Sequence, residues 1–227
     1  MQTEQIRIVY LGTPEFAVAS LEKLLGAGYP VAAVITAPDR PAGRGRKTRM
    51  PPVKEFSLSR NIPVLQPGNL KDPAFVKELE KLKPDLQVVV AFRMLPEVVW
   101  KIPPLGTFNL HASLLPQYRG AAPIHHAIIN GEKETGVTTF MIDEQIDTGN
   151  ILLREKTGIG RTETAGELHD RLMVLGAGVV LATTRRLAAG DLRPQPQEKF
   201  MSENEVLKKA PRIHKEDCLI RWEHPGE

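Results

Sequence analysis

Short apolar runs alternate with amphipathic stretches along the first half of the chain. The runs Ile6–Leu11, Val31–Ile35 and Leu86–Ala91 consist almost entirely of β-branched and other apolar residues. Such runs are typical of strands buried on both faces of a parallel sheet. Pro63–Leu65 and Thr107–His111 predict further strands. Leu86–Ala91 is the most apolar run, and we expect it at the centre of the sheet.

The stretches between these strands carry apolar residues at helical spacing. They predict helices at Pro14–Gly26, Pro51–Leu58, Asp72–Leu82 and Ala122–Ile129. Proline suits the first turn of a helix, and glycine is common just past the last turn. Alternating strands and helices are the signature of a doubly wound α/β domain. We therefore expect a Rossmann-like fold, with a mostly parallel sheet and helices on both faces.

The pattern changes after residue 130. Gly136–Ile142 and Asn150–Lys156 predict two strands joined by a short acidic loop, and Thr164–Ala189 predicts a long helix. Beyond Gly190 the chain becomes proline-rich and then polar, as linkers are. We expect a main domain over 1–190, followed by a linker or strap over 191–227.

Composition and charge narrow the class of protein. The chain has 41% hydrophobic and 25% charged residues, and no apolar run approaches the roughly 18 residues of a membrane helix. Cys218 is the single cysteine, so no internal disulfide can form. We expect a cytoplasmic protein that acts away from membranes.

Positive charge is concentrated in one segment. Between Asp39 and Lys54 six basic residues stand against one acidic residue, a local charge of +5, whereas the whole chain carries only +3. A local excess of this kind indicates one basic surface, such as a phosphate-binding face. A solvated loop without a partner is the simpler alternative.

The sequence lacks the motifs of two common nucleotide-binding sites and so disfavours both. The turn Leu11–Phe16 follows the first strand but holds one glycine where the dinucleotide fingerprint needs three. The phosphate loop of ATPases is also missing from the sequence.

Candidate chemistry begins at the end of the Thr107–His111 strand. Asn109 and His111 are two residues apart, so their side chains point to the same face. An amide donor beside an imidazole suits a developing oxyanion and a proton in transfer. The alternative is a strand-end histidine that only bonds the backbone.

The acidic loop supplies a possible third member. A carboxylate of the loop Asp143–Asp147 could orient the imidazole, as carboxylates do in acyl transfer. A solvated hairpin turn, or a metal site made from His111, Asp143 and Asp147, is also open. We expect His125 and His126 to be structural and His169 to lie on the surface.

These motifs together resemble the folate-dependent formyltransferases. The resemblance runs from Ile6 to about Trp222 and is carried by Asn109–Pro116, Tyr118–Ile124 and Asp147–Gly149. The basic block Pro38–Lys47 resembles the branch that acts on a charged tRNA rather than the purine-pathway branch.

The resemblance implies a reaction and its residues. A formyl group would pass from 10-formyltetrahydrofolate to the α-amino group of methionyl initiator tRNA, with Asn109, His111 and Asp147 as catalytic residues. The implied folate-binding residues are Ser113, Leu114, Leu115, Pro116, Val90, Phe92 and Asp143. The implied tRNA-binding residues are Arg44, Arg46 and Lys47.

The resemblance also sets expectations for partners and organisation. It requires no metal and no covalent intermediate, and we expect a monomer. Residues 1–190 would be the catalytic domain, and 191–227 would lead to an absent C-terminal domain. Two other functions stay open from the residues alone: formyl transfer or hydrolysis on a small molecule, and non-enzymatic RNA binding through the basic loop.

Overall fold

The computed structural model describes residues 6–42, 47–202 and 206–219. The strands are β1 (Ile8–Gly12), β2 (Val31–Ile35), β3 (Arg40–Ala42), β4 (Lys47–Arg49), β5 (Val64–Leu65), β6 (Leu86–Val90), β7 (Thr107–His111), β8 (Arg119–Gly120), β9 (Glu134–Met141), β10 (Ile151–Gly158) and β11 (Lys209–Ala210). The helices are α1 (Glu15–Gly26), α2 (Pro52–Ser59), α3 (Pro73–Lys81), α4 (Glu97–Trp100), α5 (Pro123–Ile129) and α6 (Ala165–Ala188).

Seven strands form the main sheet, in the order β10-β9-β7-β6-β1-β2-β5. The five strands from β7 to β5 are parallel, and β9 and β10 add an antiparallel edge. The predicted α/β fold with a mostly parallel sheet is confirmed, and β6 is the central strand as expected. Strand order reverses between β1 and β6, the kind of position where open α/β sheets bind ligands.

Each face of the sheet packs on its own helices. The larger core joins Val88 and Val90 of β6 to leucines of α1 and α6. The smaller core joins Val89 to residues of α3 and α4, including Leu79 and Val99. Successive side chains of a strand point to opposite faces, so neighbouring valines of β6 belong to different cores.

Local sequence signals set the helix starts. Asp72 caps α3 by accepting from the Ala74 N–H at 3.0 Å. Thr164 caps α6 in a capping box with Glu167, which satisfies N–H groups that a helix start otherwise leaves free. None of the helices in the described ranges is both long and apolar enough to cross a membrane.

The segments after residue 190 lie against the domain over their described part. Gln195 exchanges two backbone hydrogen bonds with Ile151, at 2.7 and 2.8 Å. Further along, β11 pairs in parallel with β8, a two-stranded ribbon that the sequence pattern did not predict. We call the described residues 191–202 and 206–219 the strap. The division into units 1–190 and 191–227 stays a prediction.

The burial of α6 gives a test of the larger core. Leu172 is fully buried there, whereas Val174 on the same helix is 69% exposed. We expect Leu172→Ala to lower the free energy of unfolding by about 2–5 kcal/mol because it leaves a cavity. Val174→Ala should change it by about 0.5 kcal/mol or less. Urea unfolding of both variants makes the comparison, and equal losses would contradict this packing.

Candidate active site

A cavity of about 680 Å³ lies at the carboxyl ends of β6 and β7. Its wall includes Asn109 and His111 of β7, and the loop Ala91–Leu95 that follows β6. The segment 142–147 after β9 closes another side. Cavities of this size hold small organic ligands.

Asn109 and His111 reach this cavity because β7 presents both on one face. Asn109 pairs with Val89 of β6 on one side and with Phe140 of β9 on the other. It is half-buried, while His111 is 6% exposed. As the two-residue spacing predicts, both residues line the same cavity.

The His111 ring is oriented by a backbone carbonyl. Its Nε2 lies 2.8 Å from the Tyr118 carbonyl oxygen. A carbonyl can only accept, so Nε2 carries a proton and donates it. Nδ1 is then the nitrogen that can gain or lose a proton, and it lies 3.8 Å from Asp147 Oδ2. That separation is an ion-pair distance and is too long for a hydrogen bond.

The position of the Tyr118 carbonyl depends on the backbone conformation of Tyr118 and on the hydrogen bonds that hold this residue. Its φ of 61° lies in the left-handed region, which is costly for an aromatic residue. The Tyr118 N–H donates to the Lys208 carbonyl of the strap at 2.7 Å, and the Tyr118 hydroxyl donates to Glu132. Asn130 donates to the same hydroxyl at 3.0 Å. Burial and the bond to Glu132 raise the pKa of the Tyr118 hydroxyl, which keeps it neutral.

Asp147 lies near His111 because the chain reverses direction after β9. Met141, the last residue of β9, pairs with Phe108 near the start of β7, three residues before His111. The segment 142–149 is a loop that begins and ends beside Met141, and its residue Asp147 reaches the His111 imidazole further along β7. The Asp147 carboxylate is only 13% exposed, and its Oδ2 accepts from the Gly120 N–H at 2.9 Å.

Two glycines permit these close approaches. A Cβ on Gly149 would lie 1.7 Å from the Met141 carbonyl oxygen. Gly120 has a φ of 128°, and a Cβ there would lie 2.3 Å from the Ala210 carbonyl oxygen of the strap. Glycine at these positions lets the Asp147 loop and the strap pass within backbone contact.

The turn Ser113–Pro116, implied as folate-binding, is packed away from the cavity. Ser113 Oγ donates to the Gln117 carbonyl at 2.6 Å, and the Ser113 carbonyl accepts from Thr138 Oγ1 at 2.6 Å. The Leu115 N–H donates to the same Thr138 oxygen, and the Leu115 side chain is fully buried. Across the part of the chain that the structure describes, none of these four residues lines the cavity. The turn instead braces the chain that follows His111.

Successive residues of β6 lie differently with respect to the cavity. Val90 is fully buried in the larger core and does not line the cavity. Val89 and Ala91 line the cavity in its place. Phe92 and Asp143, the other implied folate contacts, do line it. Asp143 Oδ1 accepts from the Thr148 hydroxyl at 2.8 Å, which shapes the loop.

The basic segment forms a hairpin of β3 and β4. Arg44 and Arg46 lie outside the described residues, and Lys47 is placed only as the first residue of β4. At the hairpin base, the Asp39 carboxylate accepts from Lys54 Nζ at 2.6 Å and from Gln66 Nε2 at 2.7 Å. The hydrogen bond from Lys54, and to a smaller extent that from Gln66, lowers the pKa of the Asp39 carboxyl.

The sequence did not predict some of the residues that line the cavity or contact its lining residues. His125 and His169, predicted as structural and surface residues, also line the cavity. The role of the Tyr118 carbonyl could not be predicted, because its contact with His111 exists only in the folded chain. No group of three or more His, Cys, Asp or Glu residues placed to hold a metal occurs among the described residues.

Sequence comparisons identify relatives over nearly the whole chain. The profile of the family described as formyl transferase matches residues 6–184. Methionyl-tRNA formyltransferase of Bacteroides thetaiotaomicron is 53% identical over 225 residues, covering 99% of this chain and 70% of that protein. The enzyme of the same name from Porphyromonas gingivalis is 49% identical and covers 100% and 70%.

Solved structures share the fold at lower identity. Glycinamide ribonucleotide transformylase 1 from Symbiobacterium toebii has a TM-score of 0.70 at 20% identity, covering 86% of this chain and 96% of that one. WlaRD, a sugar 3N-formyl transferase crystallised with dTDP and 5-N-formyl-THF, has a TM-score of 0.67 at 23% identity, covering 92% and 70%.

The close passage at Gly149 gives a test of the site geometry. We expect Gly149→Ala to cost about 1–3 kcal/mol of stability or more, because the methyl group meets a backbone carbonyl. It should also shift the His111 ring signals in NMR spectra, since the Asp147 loop must move. Gly178→Ala on α6, where a Cβ meets nothing within 4 Å, should leave those signals unchanged and stabilise slightly. Unshifted His111 signals in Gly149→Ala would contradict the described loop.

Proposed function

The chain belongs to the formyl transferase family, and we propose that Asn109, His111 and Asp147 form its catalytic centre. The reaction is transfer of a formyl group from a folate donor, which we take to be 10-formyltetrahydrofolate, to the α-amino group of methionyl initiator tRNA. The observation that supports the centre best is that all three residues line one cavity, with Nδ1 of His111 and Oδ2 of Asp147 3.8 Å apart.

Asn109 and His111 would stabilise the negative charge of the transition state. When an amine adds to a formyl carbon, charge grows on the formyl oxygen. The Asn109 carboxamide and a protonated His111 Nδ1 can each donate to that oxygen. Because Nε2 of His111 is committed to Tyr118, Nδ1 is the nitrogen that acts in the cavity. Preorganised donors of this kind contribute most when they need no rearrangement during the reaction.

Asp147 would manage the proton of the attacking amine. Its Oδ2 is fixed by the Gly120 N–H, which leaves the carboxylate at ion-pair distance from His111 rather than hydrogen-bonded to it. In that position it can accept the amine proton, directly or through water, and give a protonated His111 a partner. The proposal requires neither a metal nor a covalent intermediate.

The cavity wall fits a reduced folate. Val89, Phe92 and Ile142 offer apolar surface for a flat ring, and the Asp143 carboxylate offers an acceptor for ring N–H groups. The donor supplies an activated formyl group, and these residues would orient it towards Asn109 and His111.

The β3–β4 hairpin would bind the tRNA. Arg40 and Arg49 are exposed and lie directly opposite each other in the hairpin. Like charges at opposed positions destabilise a strand pair, and a bound phosphate would offset that repulsion. Phosphate contacts by Arg44, Arg46 and Lys47 would extend the same surface.

The proposed centre is complete within one chain, so we propose that the enzyme acts as a monomer. Charged initiator tRNA and ribosomes share a compartment, and we therefore propose the cytoplasm as the site of action.

Substitution of Asn109 and His111, the proposed hydrogen-bond donors to the formyl oxygen, tests the mechanism. We expect His111→Ala and Asn109→Ala each to lower kcat for formylation of methionyl initiator tRNA by about 10²–10³-fold, because each removes one oxyanion donor. His214→Ala removes an exposed histidine outside the cavity wall and should leave the rate unchanged. Full activity of His111→Ala would falsify the mechanism.

Substitution in the hairpin tests the choice of acceptor. Arg44→Ala should raise KM for the tRNA and reduce the salt dependence of binding by about one counter-ion, with folate affinity unchanged. Arg185→Ala, an exposed arginine of α6, is the matched control. If Arg44→Ala weakened folate and tRNA equally, the assignment of the hairpin would be wrong.

A further inference from the structure

Gln197 of the strap bridges the two segments that build the proposed centre. Its side chain is buried, with the residue only 2% exposed, in a single 3₁₀ turn over Gln197–Phe200. We propose that Gln197 is a positioning residue that holds Asp147 in its working geometry, so that the strap is part of the active site. This inference rests on the proposed function.

Both ends of the Gln197 carboxamide are saturated with hydrogen bonds. Its Nε2 donates to the carbonyls of Asp147 and Gly149, both at 2.9 Å. Its Oε1 accepts from Arg119 Nη2 at 2.7 Å and from Arg119 Nε at 3.2 Å. Two donors and two acceptor sites are the full capacity of a primary amide.

The two segments joined by Gln197 are those that meet at the Asp147 carboxylate. Arg119 immediately precedes Gly120, whose N–H donates to Asp147 Oδ2. The other segment carries Asp147 itself, with a φ of 56° in the left-handed region. Gln197 thus contacts both Arg119, the residue before Gly120, and the backbone of Asp147. It holds together the two segments that form the Gly120–Asp147 hydrogen bond. Without Gln197, the carbonyls of Asp147 and Gly149 would each lose the carboxamide donor that holds this loop conformation.

Gln197 is itself anchored independently of the site. Two residues earlier, the backbone of Gln195 pairs with Ile151 through two hydrogen bonds. The Gln195 side chain donates to the Arg193 carbonyl and accepts from Lys199, both of them strap residues. Gln195 therefore offers a matched control, with the same residue type in the same strap but away from the cavity.

Two variants distinguish the donor end of the Gln197 carboxamide from its acceptor end. Gln197→Leu removes all four hydrogen bonds at similar volume. Gln197→Glu keeps the acceptor for Arg119 but removes both donors and sets a carboxylate against two carbonyl oxygens. Gln195→Leu is the control for the strap, and thermal unfolding of every variant monitors the fold.

We expect both Gln197 variants to lower kcat by about 10- to 100-fold, since a displacement of about 1 Å at a reacting group can cost up to about 10²-fold. KM for 10-formyltetrahydrofolate should stay unchanged, because Gln197 is outside the cavity wall. The double variant Gln197→Leu/Asp147→Asn should be no slower than Asp147→Asn alone, because Gln197 acts through Asp147. Gln195→Leu should match the wild type.

Hydrogen exchange tests the same positioning role without measuring catalysis. The Gly120 amide proton should lose its protection from hydrogen exchange in both Gln197 variants and keep it in Gln195→Leu. Wild-type kcat in Gln197→Leu, or rate losses that add fully to those of Asp147→Asn, would overturn the positioning role. If Gln197→Leu does not fold, the same two measurements on Gln197→Glu decide the matter. An inactive wild type, or an active Asp147→Asn, would instead count against the proposed function.

Discussion

The fold-back of residues 142–149 over β7 is the constraint on which the proposed centre depends. Because β9 is antiparallel to β7, the chain leaves β9 at the end of β7 remote from His111. It must return across the sheet to bring Asp147 to the imidazole. Backbone contact at Gly149, the Gly120 N–H and the Gln197 carboxamide together hold that return path. The histidine and its carboxylate are therefore brought together by tertiary contacts of a loop, whereas Asn109 and His111 share a single strand.

This difference explains what the sequence could predict. Strand periodicity alone places Asn109 and His111 on one face, and the apolar run at β6 identifies the central strand. Asp147 came from the family resemblance, since no local rule describes a loop that reverses over a sheet. The choice between Val89 and Val90 had no sequence signal, because a parallel strand is apolar on both faces.

The turn Ser113–Pro116 shows a second limit. Its polar atoms were available to a ligand as far as the sequence could tell. In the fold, Thr138 of β9 takes two of them, and the turn closes on itself through Gln117. A hydroxyl on a neighbouring strand thus decides whether a loop faces a cavity or the interior. Such pairing depends on the register between β7 and β9, which no local pattern encodes.

The strap contacts also bear on the order in which the molecule assembles. Tyr118 bonds to Lys208, and Arg119 bonds to a residue 78 positions away in the chain. These contacts close loops of long sequence separation, as the pairing of β1 with β6 also does, and every such closure costs chain entropy. All seven strands of the main sheet lie before residue 160, whereas the hydrogen bonds that orient Tyr118 and Asp147 come from the strap. Because a chain is synthesised from its N-terminus, the proposed centre can be completed only after the strands of the sheet have been made.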